Sequence, residues 1–268
     1  MTSQTAKPRH TAASTNQGCY VYGIVPADVE VEPGTPGVHG PSSEVGLVTH
    51  GEIGALVSEV PLDRPLGTPD SLTAHQRLLD EVAAEVPVLP MRFGAVMSSP
   101  QAVVQELLTP YHEEFRTALA ELEGHAEYVV KGRYVERHLL EEVLEENPEA
   151  RRLREEIREL PEDAGREARI ELGELVNQAV AAKRDADTRE IAERLVPLSV
   201  LVSPREPSHE QDAVHLALLV ADDRRADLER TVDEFARRYR GRVDLWLLGP
   251  MAPYDFVVSS KPGDEEWD

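Results

Sequence analysis

Glu136 to about Leu195 reads as an almost continuous charged helical region, and this run limits the folds open to the second half of the chain more than any other feature. Leu172, Leu175, Val176, Ala179 and Val180, then Ile191, Leu195 and Val196, mark one apolar stripe, with Glu and Arg on the outer face. The pattern predicts a helical hairpin or a coiled-coil-like arm. Asn147-Pro148 and Leu160-Pro161 interrupt it, and Asn147 can cap a helix whose first residue is Pro148. Strand patterns stand on both sides. Glu127–Tyr134 alternates ahead of the arm, and Ser199–Val202 and Val214–Val220 follow it. A helix from about Arg224 to Tyr239, capped by Asp222 or Asp223, then leads to a last strand, Arg242–Leu248. The order is β-α-β-β-α-β, the ferredoxin-like order, with an enlarged first helical connection.

The first half has a different texture. Cys19–Val25 reads as a strand, and a turn-rich loop from Pro26 to Ser43 follows. Val45–Val48 and Ile53–Val57 are two short strands joined by a hairpin turn at Thr49–Glu52. A helix over about Leu72–Glu85, capped by Asp70 or Ser71, places Leu72, Leu78, Leu79, Val82 and Val86 on one face. A strand, Val86–Phe93, comes next. Ser99-Pro100 and Thr109-Pro110 each read as a cap followed by Pro at the first helical position, giving helices Pro100–Leu108 and Pro110 to about Glu123. The fold class is therefore α+β in two domains. An N-terminal mixed α/β domain covers 19–125. A C-terminal modified ferredoxin-like domain covers 126–258, with the helical hairpin inserted over about 136–195. Residues 1–18 and 259–268 lack periodicity and read as disordered polar tails.

Charge narrows the partners. Fifty acidic against 28 basic residues leave a net charge of −22, the wrong sign for gripping phosphate backbones or an anionic membrane surface. No nucleic-acid or membrane partner is expected. Cys19 is the single cysteine, so no intrachain disulfide forms and a thiolate zinc site is ruled out. With no apolar stretch near the N-terminus and none long enough to span a bilayer, the chain reads as cytoplasmic.

Catalytic patterns do not emerge. The nine histidines are scattered, with no pair at i, i+4 and no His-Glu-x-x-His run. A nucleophile elbow and a phosphate loop are also missing. Gly34, Gly37 and Gly40 resemble part of a glycine-rich cradle, but Pro36 and Pro41 point to an ordinary loop. Paired glutamates such as Glu141-Glu142 and Glu155-Glu156 fall on predicted solvated helix faces. No catalytic residue, cofactor or metal site is assigned.

Two runs remain distinctive. The first is Val86-Pro87-Val88-Leu89-Pro90-Met91-Arg92-Phe93-Gly94. Its prolines put a strand here at an edge or break it. Arg92 is either exposed there or partly buried at a domain junction and paired with a carboxylate. The turn at Pro87 could also bring it to His75. The second is Gly249-Pro250-Met251-Ala252-Pro253-Tyr254-Asp255-Phe256, where Gly and two Pro end the last strand and hold Tyr254 and Phe256 at a stiff loop. These rings are expected to plug a core or a domain junction. Arg92, Phe93, Gly94, Gly249, Pro250, Pro253, Tyr254 and Phe256 are the candidate partner-binding or domain-junction residues.

Together with the opening Tyr20-Val21-Tyr22-Gly23-Ile24-Val25 strand and the helix carrying His75, these runs resemble the gas vesicle family that groups GvpF and GvpL, over roughly residues 19–258. Ala252 stands where that family's closing pattern has the first of two adjacent prolines, and Asp255 where Ser is common. The resemblance implies a non-enzymatic accessory or minor structural protein of gas vesicles. It also implies two domains, the second ferredoxin-like with a helical insertion. The implied partner is the hydrophobic shell protein GvpA, bound during nucleation and assembly, with other gas vesicle accessory proteins beside it. The competing reading is a small-molecule-binding regulatory protein built on a ferredoxin-like sensor domain.

Overall fold

In the computed structural model, which describes residues 17–257 apart from 64, 160 and 162–164, the chain divides into two units. One comprises the residues up to Leu78 together with Met91–Arg116; the other comprises Leu79–Pro90 and the residues from Thr117 onward. The tails expected over 1–18 and 259–268 lie almost wholly outside the described residues, as does Leu160 of the expected helix break.

The first unit is built on antiparallel strands. Gln17–Pro26 (β1) pairs with Ile53–Pro61 (β4), which pairs with Gly40–His50 (β3); Pro36–Gly37 (β2) lies beyond β3. Val96–Met97 (β6) pairs with β1, following the two-residue strand Leu89–Pro90 (β5) in sequence. β1 is buried from Gly18 to Val25, which explains a near-continuous apolar run rather than alternation. It begins at Gln17, earlier than expected, and a Cβ on Gly18 would meet Val96 at 2.6 Å. The β3–β4 hairpin is tighter than the four-residue turn expected. His50 pairs with Ile53, and Gly51, at φ +60°, takes the first of two loop positions.

Helix Pro69–Ala83 (α1) starts earlier than expected, and its cap is Thr68, not Asp70 or Ser71. Thr68 Oγ1 accepts the Ser71 N–H at 3.1 Å, with Pro69 as the first helical residue. Leu72 leaves the expected apolar face and is exposed, while Leu78 and Leu79 are buried. Ser99 caps as expected, its hydroxyl accepting the Ala102 N–H at 3.1 Å, but only Pro100–Ala102 (α2) is α-helical. Val103–Leu108 widens into a π-helix. Thr109 closes that π turn through bonds to the Val104 carbonyl and does not cap the next helix, which is His112–Leu122 (α3).

The second unit carries a four-stranded antiparallel sheet in the order β10-β7-β9-β8: Val243–Met251 (β10), His125–Tyr134 (β7), Asp212–Ala221 (β9) and Leu201–Pro204 (β8). Between β7 and β8 run Glu136–Glu146 (α4), Pro148–Glu159 (α5) and Arg166–Leu195 (α6). The α4–α5 break is the expected one, with Asn147 Oδ1 accepting the Glu149 and Ala150 N–H groups at 3.1 Å. Arg225–Arg238 (α7) precedes β10 and starts from a 3₁₀ turn, Asp222–Arg224, with no side-chain cap. The core lies on one face of this sheet. Tyr128, Val130, Leu216 and Leu218 meet Leu139 and Val143 of α4, Ile191 and Leu195 of α6, and Leu228, Val232 and Phe235 of α7. On the arm, Val176, Ala179 and Val180 pack against that core, whereas Val196 is exposed.

Candidate functional site

The first distinctive run is a turn rather than a strand. Only Leu89–Pro90 is extended, and Met91–Gly94 bends back with Gly94 at φ +91°. Two prolines remove the donors a longer strand would need. The turn is held by uncharged groups on β1 and α1. The Met91 N–H donates to the Tyr22 carbonyl at 2.8 Å. The Gly94 N–H donates to Tyr20 Oη at 3.1 Å, and Tyr20 Oη in turn lies 2.9 Å from Nδ1 of the buried His75. Phe93 stands edge-on to Tyr20 and His75, with centroids at 6.2 and 5.6 Å. Tyr22 stacks on His75, with centroids at 5.7 Å, and also takes the Val38 N–H. Burial pushes the Tyr20 hydroxyl up to about 12, so it stays neutral. Burial also pushes His75 below the ordinary imidazole range. The Met91 backbone favours the protonated ring, but burial outweighs it, and His75 Nε2 makes no hydrogen bond among the described residues. Arg92 is exposed, so the partly buried Arg–carboxylate pair and the Arg92–His75 meeting are both corrected.

Nor does the last strand stop at the second run. β10 continues to Met251, with an irregularity between Leu248 and Met251 and a cis Gly249–Pro250 bond. Gly249 is required twice over. Its φ is +126°, and a Cβ there would sit 2.8 Å from the Glu127 carbonyl oxygen and from the Tyr128 ring. The expected plug is also corrected. Ala252 and Pro253 are buried, Tyr254 is 38% exposed and Phe256 is half-buried. The small and rigid residues fit where the rings do not.

Carboxylates hold this loop. Asp80 of α1 accepts the Ala252 N–H at 3.0 Å, and burial raises its pKa. Glu127 of β7 is fully buried and accepts the Asp255 N–H at 3.0 Å and Arg205 Nη2 at 2.8 Å. Arg205 also bonds Asp255 through Nε at 2.8 Å and through Nη2. Burial, then the contact with the Asp255 carboxyl, pushes Glu127 up to about 8. Burial opposes ionisation of Asp255 too, but the Arg205 bonds outweigh it and hold Asp255 below the ordinary carboxylate range.

Another ionic cluster is architectural. Asp187 of α6 takes the Tyr134 hydroxyl at 2.5 Å and Arg242 Nη1 at 3.0 Å, and Arg242 Nε reaches Glu142 at 2.7 Å. Lys183 joins Glu142 at 3.1 Å. Glu142 is thus a paired, half-buried residue and not a solvated one as expected. Sequence reasoning missed Tyr20, Tyr22, Asp80, Glu127 and Arg205. The two tyrosines at alternate positions of an apolar strand were an available signal; the carboxylates gave none. Among the described residues no cluster of three or more His, Cys, Asp or Glu is placed to hold a metal ion, and no helix is long and apolar enough to cross a membrane.

Residues 18–258 match the family described as gas vesicle synthesis protein GvpL/GvpF. The chain belongs to this family. Gas vesicle protein F of Streptomyces sp. (strain CB03234) is 33% identical over 243 residues, covering 89% of this chain and 98% of that protein. Gas vesicle protein F of Haloferax mediterranei is 23% identical over 242 residues, covering 89% and 92%. Crystal structures of GvpF from Anabaena sp. PCC7120 and from Microcystis aeruginosa share the fold. Their TM-scores are 0.72 and 0.71, at 23% and 22% identity; each comparison covers 89% of this chain, with 97% and 98% of the GvpF chains. Both motif runs lie within the GvpL/GvpF match.

Proposed function

We propose that this chain is a non-enzymatic accessory or minor structural protein of gas vesicles. In this reading it works in the cytoplasm and at the vesicle, binding the hydrophobic shell protein GvpA during nucleation and assembly and limiting its aggregation. The family match over residues 18–258 carries the proposal. We read the second unit as a modified ferredoxin-like domain, a reading supported by the sheet order β10-β7-β9-β8 and the long helical connection between β7 and β8.

An apolar subunit needs an apolar landing strip on a soluble partner. Trp246 and Leu248 are each 46% exposed and lie two apart on β10, an edge strand, so they share one face. Tyr254 is exposed shortly after them in the chain. We assign GvpA contact to this strip, with Arg92 at the tip of the Met91–Gly94 turn as the second candidate. Phe93 serves the turn itself through Tyr20 and His75. The net charge of −22 would keep a complex with an apolar subunit dispersed.

Co-expression with GvpA tests the reading. GvpA should co-purify with the chain, and Trp246→Ser with Leu248→Ser should cut recovery severalfold while the melting temperature stays unchanged. Equal recovery with the folded double variant would remove this surface from consideration. Absence of GvpA from the unaltered chain would sink the functional reading.

A further inference from the structure

We propose that Glu127, Arg205 and Asp255 form a pH-sensitive latch, which holds the Ala252–Val257 segment on the sheet at neutral pH and releases it in alkali. One guanidinium serves two carboxyls: Arg205 donates to Glu127 Oε1 at 2.8 Å and, through Nε, to Asp255 at 2.8 Å. Arg205 Nη2 bonds both, which makes the two carboxyl groups close neighbours. With one proton shared between them, the pair carries a single negative charge that Arg205 balances. Loss of that proton leaves two negative charges against one positive, at a place where Glu127 has no exposed surface.

The remaining charged groups facing the cluster do not supply the missing compensation. His215 of β9 acts on Asp255, and burial lowers its own pKa, so it is neutral in alkali. Lys131 of β7 is engaged with Ser208 at 3.0 Å. Asp80 adds a further carboxyl at the start of the segment, bonded to Ala252. The Asp255 N–H favours ionised Glu127, but burial and the second carboxyl outweigh it and push Glu127 up to about 8.

The two sides of the latch differ in how easily they move. Glu127 is fixed in β7, which is paired on both edges with β10 and β9. The Asp255 side chain keeps part of its surface in solvent, unlike that of Glu127, and it sits in a segment whose internal bonds are short-range turns, Tyr254 N–H to Ala252 O and Phe256 N–H to Pro253 O. Repulsion therefore displaces the segment and leaves the strand in place. Release uncovers Ala252 and Pro253, both buried in the latched state.

Carboxyl-carbon NMR of the full chain, together with amide exchange of Asp255 corrected for intrinsic rate, tests the latch between pH 6 and 10. Glu127 should titrate near pH 8. Protection of the Asp255 amide should fall roughly tenfold across the same step. Glu127→Gln mimics the protonated form and should stay protected throughout. Asp255→Ser, at an exposed position, should return the Glu127 midpoint towards the ordinary carboxylate range, and it decides the matter even if Glu127→Gln loses the fold. Titration of Glu127 at an ordinary ~4–5 in the unaltered chain would overturn the proposal. So would the same alkaline loss of protection in folded Glu127→Gln, which would assign the response to Asp80, His215 or Lys131.

Discussion

Gly94 and Gly249 each adopt a φ that L side chains avoid, +91° and +126°, and each belongs to a run resembling the family's motifs. Their surroundings differ. Around Gly94 a Cβ would meet nothing within 4 Å, and the turn is held by neutral groups, the Tyr20 hydroxyl and the Tyr22 carbonyl. Around Gly249 a Cβ would strike the backbone of β7, and the following loop is held by Asp80, Glu127 and Arg205. The first run is a neutral turn on an aromatic cluster. The second is a strand crossing tightly over its neighbour and ending in a charged clasp. The two glycines are thus needed for different physical reasons, and substitution separates them.

Gly249→Ala should have the largest effect. The added methyl lies 2.8 Å from the Glu127 carbonyl oxygen, on the backbone of β7, which is paired on both edges, and the backbone penalty adds to the clash. A loss of more than about 2 kcal/mol is expected in urea unfolding. A loss below about 0.5 kcal/mol would mean that β10 shifts freely off β7, and that the tight crossing is incidental.

The two regions should also respond to pH with opposite signs. His75 has a folded pKa below its ordinary 6.5, so the native state binds fewer protons than the unfolded chain. Its contribution is present above about 6.5 and is lost as pH falls through the lowered value. Glu127 is raised from 4.5 to about 8, so its contribution is full below 4.5 and is lost as pH rises through about 8. Asp255, held low by Arg205, adds an acid-side loss in the second region. Amide exchange at Gly94 should therefore quicken in acid and at Asp255 in alkali, after correction for intrinsic rate. Absence of an alkaline limb at Asp255, or an equal alkaline limb at Gly94, would break the contrast.

Apolar periodicity made the strands and most helices legible, because burial on one face writes itself into the sequence at period 2 or 3.6. The Asn147 cap was legible because its chemistry is local. Thr68-Pro69 carried the same signal as Ser99-Pro100, and Thr109-Pro110 carried it too, yet Thr109 ends one helix while Thr68 starts another. A cap motif does not say which helix it serves when a π turn has shifted the register. Continuation of β10 past Gly249 and Pro250 was hidden because these residues ordinarily end strands, and only the approach to Glu127 and Tyr128 shows why they are tolerated. Burial of Ala252 and Pro253 in place of Tyr254 depends on the space available, and residue type alone does not report that. Glu127 looked like one more acidic residue in an acidic chain; its distinction is the absence of water.

Gly94→Ala should cost least of these changes, and its size sets the scale for the backbone term alone. No packing clash accompanies the methyl, and the Gly94 N–H can still reach Tyr20 Oη, so only the φ of +91° is penalised. About 1 kcal/mol is expected, read as a shift in the urea midpoint at unchanged slope. Gly94→Asn should cost less than Gly94→Ala, since Asn enters positive φ more readily. If Gly94→Ala instead matched Gly249→Ala, the neutral turn would be as tightly bound as the strand crossing. The difference between the two glycines would then lie in the chain's backbone and not in what surrounds it.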